Sequence, residues 1–132
     1  MARILLIDDD EQVLRVTTSF LEREQHEIST AINGKQGIRL LESQQFDLII
    51  TDVFMPEQDG LGVLMWLLNQ KNRQKIIVMT GGSAAMDQNL LFDMCEKLHA
   101  DKVLSKPVDF ETLTSAVREV LESGVEGSQQ QT

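Results

Sequence analysis

Cysteine occurs once in this 132-residue chain and tyrosine not at all, so the few reactive side chains present are easily surveyed. A lone Cys95 cannot close an internal disulfide, and no second ligand is spaced to share a metal with it, which points to a reducing compartment. Basic residues are also short: 12 Lys and Arg against 21 Asp and Glu give a formal charge of −9. That balance repels phosphate backbones and anionic lipid, so direct binding to nucleic acid or membrane is disfavoured. A long apolar run is missing as well. The opening MARILLIDDD has only a short one before three acids, which makes it neither a signal peptide nor a membrane span and favours the cytoplasm. What remains is 42% apolar and 25% charged, enough for the core of one domain with no room for a second.

Short apolar runs alternate with segments of helical period. Ile4 to Ile7, Leu48 to Ile50 and Ile76 to Met79 are unbroken, as strands covered on both faces require. Glu27 to Ala31 and Val103 to Ser105 are mixed or short and suit sheet edges. Val13, Val16, Phe20 and Leu21 line a first helix; Ile38, Leu40 and Leu41 belong to a second after Asn33-Gly34. A third follows Asp59-Gly60 and is apolar on most sides, which predicts deep burial. A fourth is expected from Ala85 to Leu98, and a fifth carries Phe110, Leu113, Val117, Val120 and Leu121, with Asp109 as its N-cap. Five strands alternating with five helices predict a parallel, doubly wound α/β sheet. After Leu121 the pattern stops, so the domain is expected over residues 1–122 and a mobile tail or linker start over 123–132.

In a parallel sheet the C-terminal ends of all strands share one edge, and ligands bind outside it. Asp8 and Asp9 follow the first strand, Asp52 ends the third, Thr80 ends the fourth and Lys106 follows the fifth. Three acids gathered there repel one another unless a cation compensates, and oxygen-only ligands favour Mg²⁺, or Mn²⁺, over a softer metal. A hydroxyl and an ammonium facing them suit a phosphoryl group. The set reads as an aspartyl-phosphate site.

The segments ILLIDDDEQV, LIITDVFMPEQDG, IIVMTGG and VLSKP resemble, in order and separation, the four signature segments of two-component response-regulator receiver domains. The likeness extends from Arg3 to about Glu122. It implies the flavodoxin-like strand order 2-1-3-4-5, with Asp52 as phosphoacceptor and Asp9 and Asp52 as direct metal ligands. It also implies a metal bond from the backbone carbonyl of Phe54, with Asp8 acting through water. By the same resemblance Thr80 and Lys106 contact phosphoryl oxygens, and a cis peptide precedes Pro107. The donor would be a histidine kinase or histidine phosphotransfer protein, and the output a contact with another protein, whether the chain stands alone or is part of a longer regulator. Such a domain is a switch, catalytic only toward its own phosphorylation and dephosphorylation.

Two rival chemistries are weaker. A Mg²⁺-dependent phosphohydrolase with an aspartyl phosphate needs a second Asp two residues after the nucleophile, where this chain has Phe54; an FMN protein of the same fold needs a hydroxyl-rich phosphate loop where Asp8, Asp9 and Asp10 stand. Gly81-Gly82 is read as leaving room beside Thr80, His26 and His99 as surface residues, Trp66 and Cys95 as packing, and Lys71 to Lys75 as a solvated loop. Val103 departs from the resemblance, because the position three before the lysine commonly holds Tyr or Phe. Without that ring, the response to phosphorylation is expected in the backbone of Gly81, Gly82 and Ser83 and the start of the fourth helix.

Overall fold

The computed structural model describes residues 1–52, 60–71, 74–81, 93, 96 and 99–130. Its five strands, β1 (Arg3–Ile7), β2 (Glu27–Ala31), β3 (Leu48–Asp52), β4 (Ile76–Thr80) and β5 (Lys102–Ser105), form one parallel sheet in the order β2-β1-β3-β4-β5. Strands β3 and β4 are buried at every residue, whereas β2 and β5 are only partly covered, as their mixed composition requires at an edge.

Alternation along the strands sorts the core into two clusters. Ile4, Leu6, Leu48, Ile50, Ile77 and Met79 face α1 (Glu11–Arg23) and the C-terminal helix (Phe110–Gln130) through Leu14, Leu21, Leu113 and Val117. Leu5, Ile7, Ile49 and Val78 face the other way, toward α2 (Gly34–Ser43) and α3 (Gly60–Leu68) through Val63 and Leu67. Helix α2 packs so closely that a Cβ on Gly37 would run into the Cδ1 of buried Ile7, which would have to shift. Side-chain caps begin the helices: Asp10 accepts from Gln12 N and Val13 N, Asn33 from Gln36 N, and Asp109 from Thr112 N.

Several expectations change. The buried stripe of α1 is Leu14, Thr17 and Leu21, and Val16 is 47% exposed, because the helix is rotated from the face assigned to it. Helix α3 lies on one side of the sheet and can cover only the residues that face it, so Met65 and Leu68 remain on the surface despite the helix's apolar character. The C-terminal helix spans Phe110–Gln130, so the boundary expected at residue 122 falls within it. Lys75 is no free loop residue, since its Nζ donates to the Leu121 carbonyl at 2.7 Å. The expected fourth helix lies largely outside the described residues, as do Cys95 and Gly82; Asp93 and Glu96 within it are helical and exposed.

His26 also departs from a simple surface residue. It is half-buried, and its Nδ1 accepts a hydrogen bond from Ala2 N at 3.1 Å. Burial, then the positive N-terminus, hold its pKa below the ordinary 6.5, partly offset by Glu24. The unfolded chain therefore takes up this proton first as pH falls. The stabilisation is present above about pH 6.5 and is lost from there down to the lower folded-state value. Urea midpoints at about pH 7.5 and about pH 5.5 should fall further for the native chain than for His26→Gln; equal falls would remove His26 from the effect.

Candidate functional site

Strand ends place every site group. Asp8 follows β1, and its N–H donates to the Ala31 carbonyl, so it continues the β1–β2 pairing by one residue. Its side chain is fully buried, and Oδ1 accepts from Asp10 N at 2.9 Å, a turn that swings the chain into α1. Asp9, the next residue, is exposed. Asp52 ends β3 and is 4% exposed. One carboxylate oxygen from each of Asp8, Asp9 and Asp52 lies within 4.8 Å of the others.

Lys106 arrives from the far side of this cluster. Its N–H donates to the Thr80 carbonyl at 2.7 Å, and the following bond to Pro107 is cis. The ammonium is then 2.6 Å from Asp52 Oδ2 and 2.6 Å from Asp8 Oδ2. Toward Asp52 the contact is a directed hydrogen bond. Toward Asp8 it is an ion pair outside hydrogen-bond geometry, which leaves Asp8 Oδ2 a buried oxygen with no directed donor. Burial opposes the charged form of Lys106, but the contacts with Asp52 and Asp8 outweigh it and hold the ammonium's pKa above its ordinary value.

Thr80 ends β4 and is 2% exposed. Asp52 pairs in register with Met79, so Thr80 stands one residue beyond it at the same edge. Asp8, Asp9, Asp52 and Lys106 are thus brought together, with Thr80 following at the same edge, while Phe54 lies outside the described residues. A Cβ on Gly81 would meet nothing within 4 Å, in keeping with open space beside Thr80. Next to the site a cleft of about 540 Å³ is lined by Val13, Val16, Met79, Pro107 and Val108. A larger basin, about 1100 Å³, is at the opposite edge by Ala2, His26, Phe46 and Trp66, so size does not mark the chemistry.

Two features escaped the sequence reading. One is that a single ammonium bridges two acids from different strands. The other is Thr51, a hydroxyl in a wholly buried strand, whose Oγ1 donates to the Asp52 carbonyl at 3.1 Å. Its signal was present in the segment LIITD, where a polar residue interrupts an aliphatic run.

Three carboxylates facing one ammonium leave two negative charges for a cation to balance. The donor set of oxygens fits Mg²⁺. A parallel doubly wound sheet with such an edge defines a class of phosphoryl-accepting switch domains, and the comparisons with known proteins narrow it. The family model of the response regulator receiver domain matches residues 4–118, so the chain belongs to that family.

Among curated relatives, a probable C4-dicarboxylate response regulator, DctR of Bacillus subtilis, is 34% identical over 117 residues, covering 87% of this chain and 50% of the relative. The transcriptional regulatory protein CpxR of Escherichia coli is 31% identical over 131 residues, covering 99% of this chain and 54% of its own. The chain thus spans about half the length of these relatives. A CheY-like receiver domain from Methanospirillum hungatei superposes with a TM-score of 0.85 at 27% identity, covering 96% of this chain and 98% of its own. The response regulator TrrA of Thermotoga maritima, solved in complex with Mg²⁺ and BeF, gives 0.77 at 30% identity, covering 91% and 99%. This is a receiver domain of a two-component response regulator.

Proposed function

We propose that Asp52 is the phosphoacceptor of this receiver domain, and that the observation carrying the assignment is its position: nearly buried, hydrogen-bonded to Lys106 and grouped with Asp8 and Asp9. A carboxylate oxygen of Asp52 attacks the phosphorus of a phosphohistidine on a histidine kinase or phosphotransfer protein. The P–O bond forms as the P–N bond breaks, and the imidazole nitrogen keeps the electron pair and takes a proton from solvent. Lys106 would offer its donors to the oxygens of the transferred group, and Thr80 would bind another. Asp9 and Asp52 would hold Mg²⁺, or Mn²⁺, directly, with the Phe54 carbonyl; Asp8, whose Oδ1 is engaged with Asp10 N, would act through water. The bound cation would supply charge neutralisation for the phosphoryl oxygens.

The domain would serve as a signalling switch in the cytoplasm, catalytic only on itself, with output through a protein partner or a domain further along a longer regulator. Supporting this are its family, the −9 charge and the Mg²⁺- and BeF-bound relative; among the described residues no helix is long and apolar enough to cross a membrane. Intact-mass spectrometry with a small phosphodonor should show one added phosphoryl group with Mg²⁺ and essentially none after chelation. Equal labelling in both conditions would overturn the role given to the cation.

A further inference from the structure

We propose that Thr51 is a positioning residue for the phosphoryl transfer, its hydroxyl fixing the main chain of Asp52; this rests on Asp52 being the phosphoacceptor. Strand β3 is buried at all five residues, and a buried hydroxyl there is unfavourable unless it is hydrogen-bonded. Packing gives no reason for it. In register Thr51 lies between Ile7 and Val78, and by alternation it shares a face with Ile49, on the side covered by α2 and α3; valine would fill that place with methyl groups alone. The hydroxyl is fully enclosed and donates to the carbonyl of the next residue, Asp52, at 3.1 Å.

That carbonyl belongs to the last residue of β3, in register with Met79, so the hydroxyl reinforces the ladder at its end. Holding it sets the rotation between the Cα and carbonyl carbon of Asp52, and with it the direction in which the chain leaves the sheet. The side chain of Asp52 points to the opposite face of the sheet, so Thr51 acts without touching the reacting atoms. A carboxylate that must meet phosphorus in line is sensitive to small displacements, and a loosened backbone lowers the rate more than it lowers stability.

The test compares Thr51→Val, which removes the hydroxyl and keeps the shape, with Thr51→Ser, which keeps the hydroxyl and removes a methyl group. Rate constants for labelling by a small phosphodonor are measured at saturating donor and Mg²⁺, beside urea midpoints. Thr51→Val should retain a native-like midpoint and label on the order of tenfold more slowly. Thr51→Ser should be less stable and label at nearly the native rate. If Thr51→Val does not fold, Thr51→Ala against Thr51→Ser isolates the same hydroxyl, with the serine variant again faster. Native-rate labelling by the valine variant, or equal slowing in the serine variant, overturns the proposal. Failure of the unsubstituted chain to label at Asp52 would instead overturn the phosphoacceptor assignment.

Discussion

Replacing Asp52 with asparagine is expected to abolish phosphoryl incorporation, a loss of at least about a hundredfold in labelling rate. An amide oxygen is a poor nucleophile, and among the described residues no other carboxylate shares the position of Asp52. Asp9 is exposed, and both oxygens of Asp8 already have close partners, Asp10 N and Lys106. The substitution is nearly isosteric and can keep a hydrogen bond with Lys106, so a native-like circular dichroism spectrum should accompany the loss. Labelling of Asp52→Asn at an undiminished rate would move the phosphoacceptor elsewhere.

Lys106→Met should separate two duties of the ammonium. Without added metal, the variant leaves buried Asp8 and nearly buried Asp52 facing each other with no counter-charge, and it should be destabilised by about 2 kcal/mol; this is below the cost of breaking a fully buried pair because Lys106 is partly exposed. Saturating Mg²⁺ should recover much of that deficit, since a cation held by the same acids replaces the missing charge. Phosphorylation should nonetheless stay slow, because the metal does not supply the directed donors of the ammonium. Urea denaturation with and without Mg²⁺ reads the first effect and intact-mass kinetics the second. A deficit unchanged by Mg²⁺ would show that Lys106 is not a counter-ion for the metal-binding acids.

The sheet was legible because its strands announce themselves. Leu48 to Ile50 and Ile76 to Met79 have no polar residue, and only a strand covered on both faces needs that. Knowing that strands end together was then enough to gather Asp8, Asp52, Thr80 and Lys106 from four places in the chain. Which face a helix buries was harder. Val16 and Leu14 are both apolar, and composition does not say which of them packs on a twisted sheet. The resemblance gave Asp8 and Asp9 different roles, but which of them is buried was hidden, because two adjacent aspartates look alike until the turn through Asp10 N buries one and leaves the other in solvent. The backbone response expected around Gly82 and Ser83 falls outside the described residues.

Strand order also bears on how the chain is made. Synthesis delivers β1 and β2 first, then β3 on the open side of β1, then β4 and β5, each beside the strand before it. From β3 onward the sheet grows at one edge, so no later strand has to be threaded between two already joined. The face bearing Leu6, Ile50 and Met79 must nevertheless wait for Leu113, Val117 and Val120, the last buried residues of that core to leave the ribosome. Until then an apolar surface is open to solvent, and a chain stalled before the C-terminal helix is the species most in need of a chaperone.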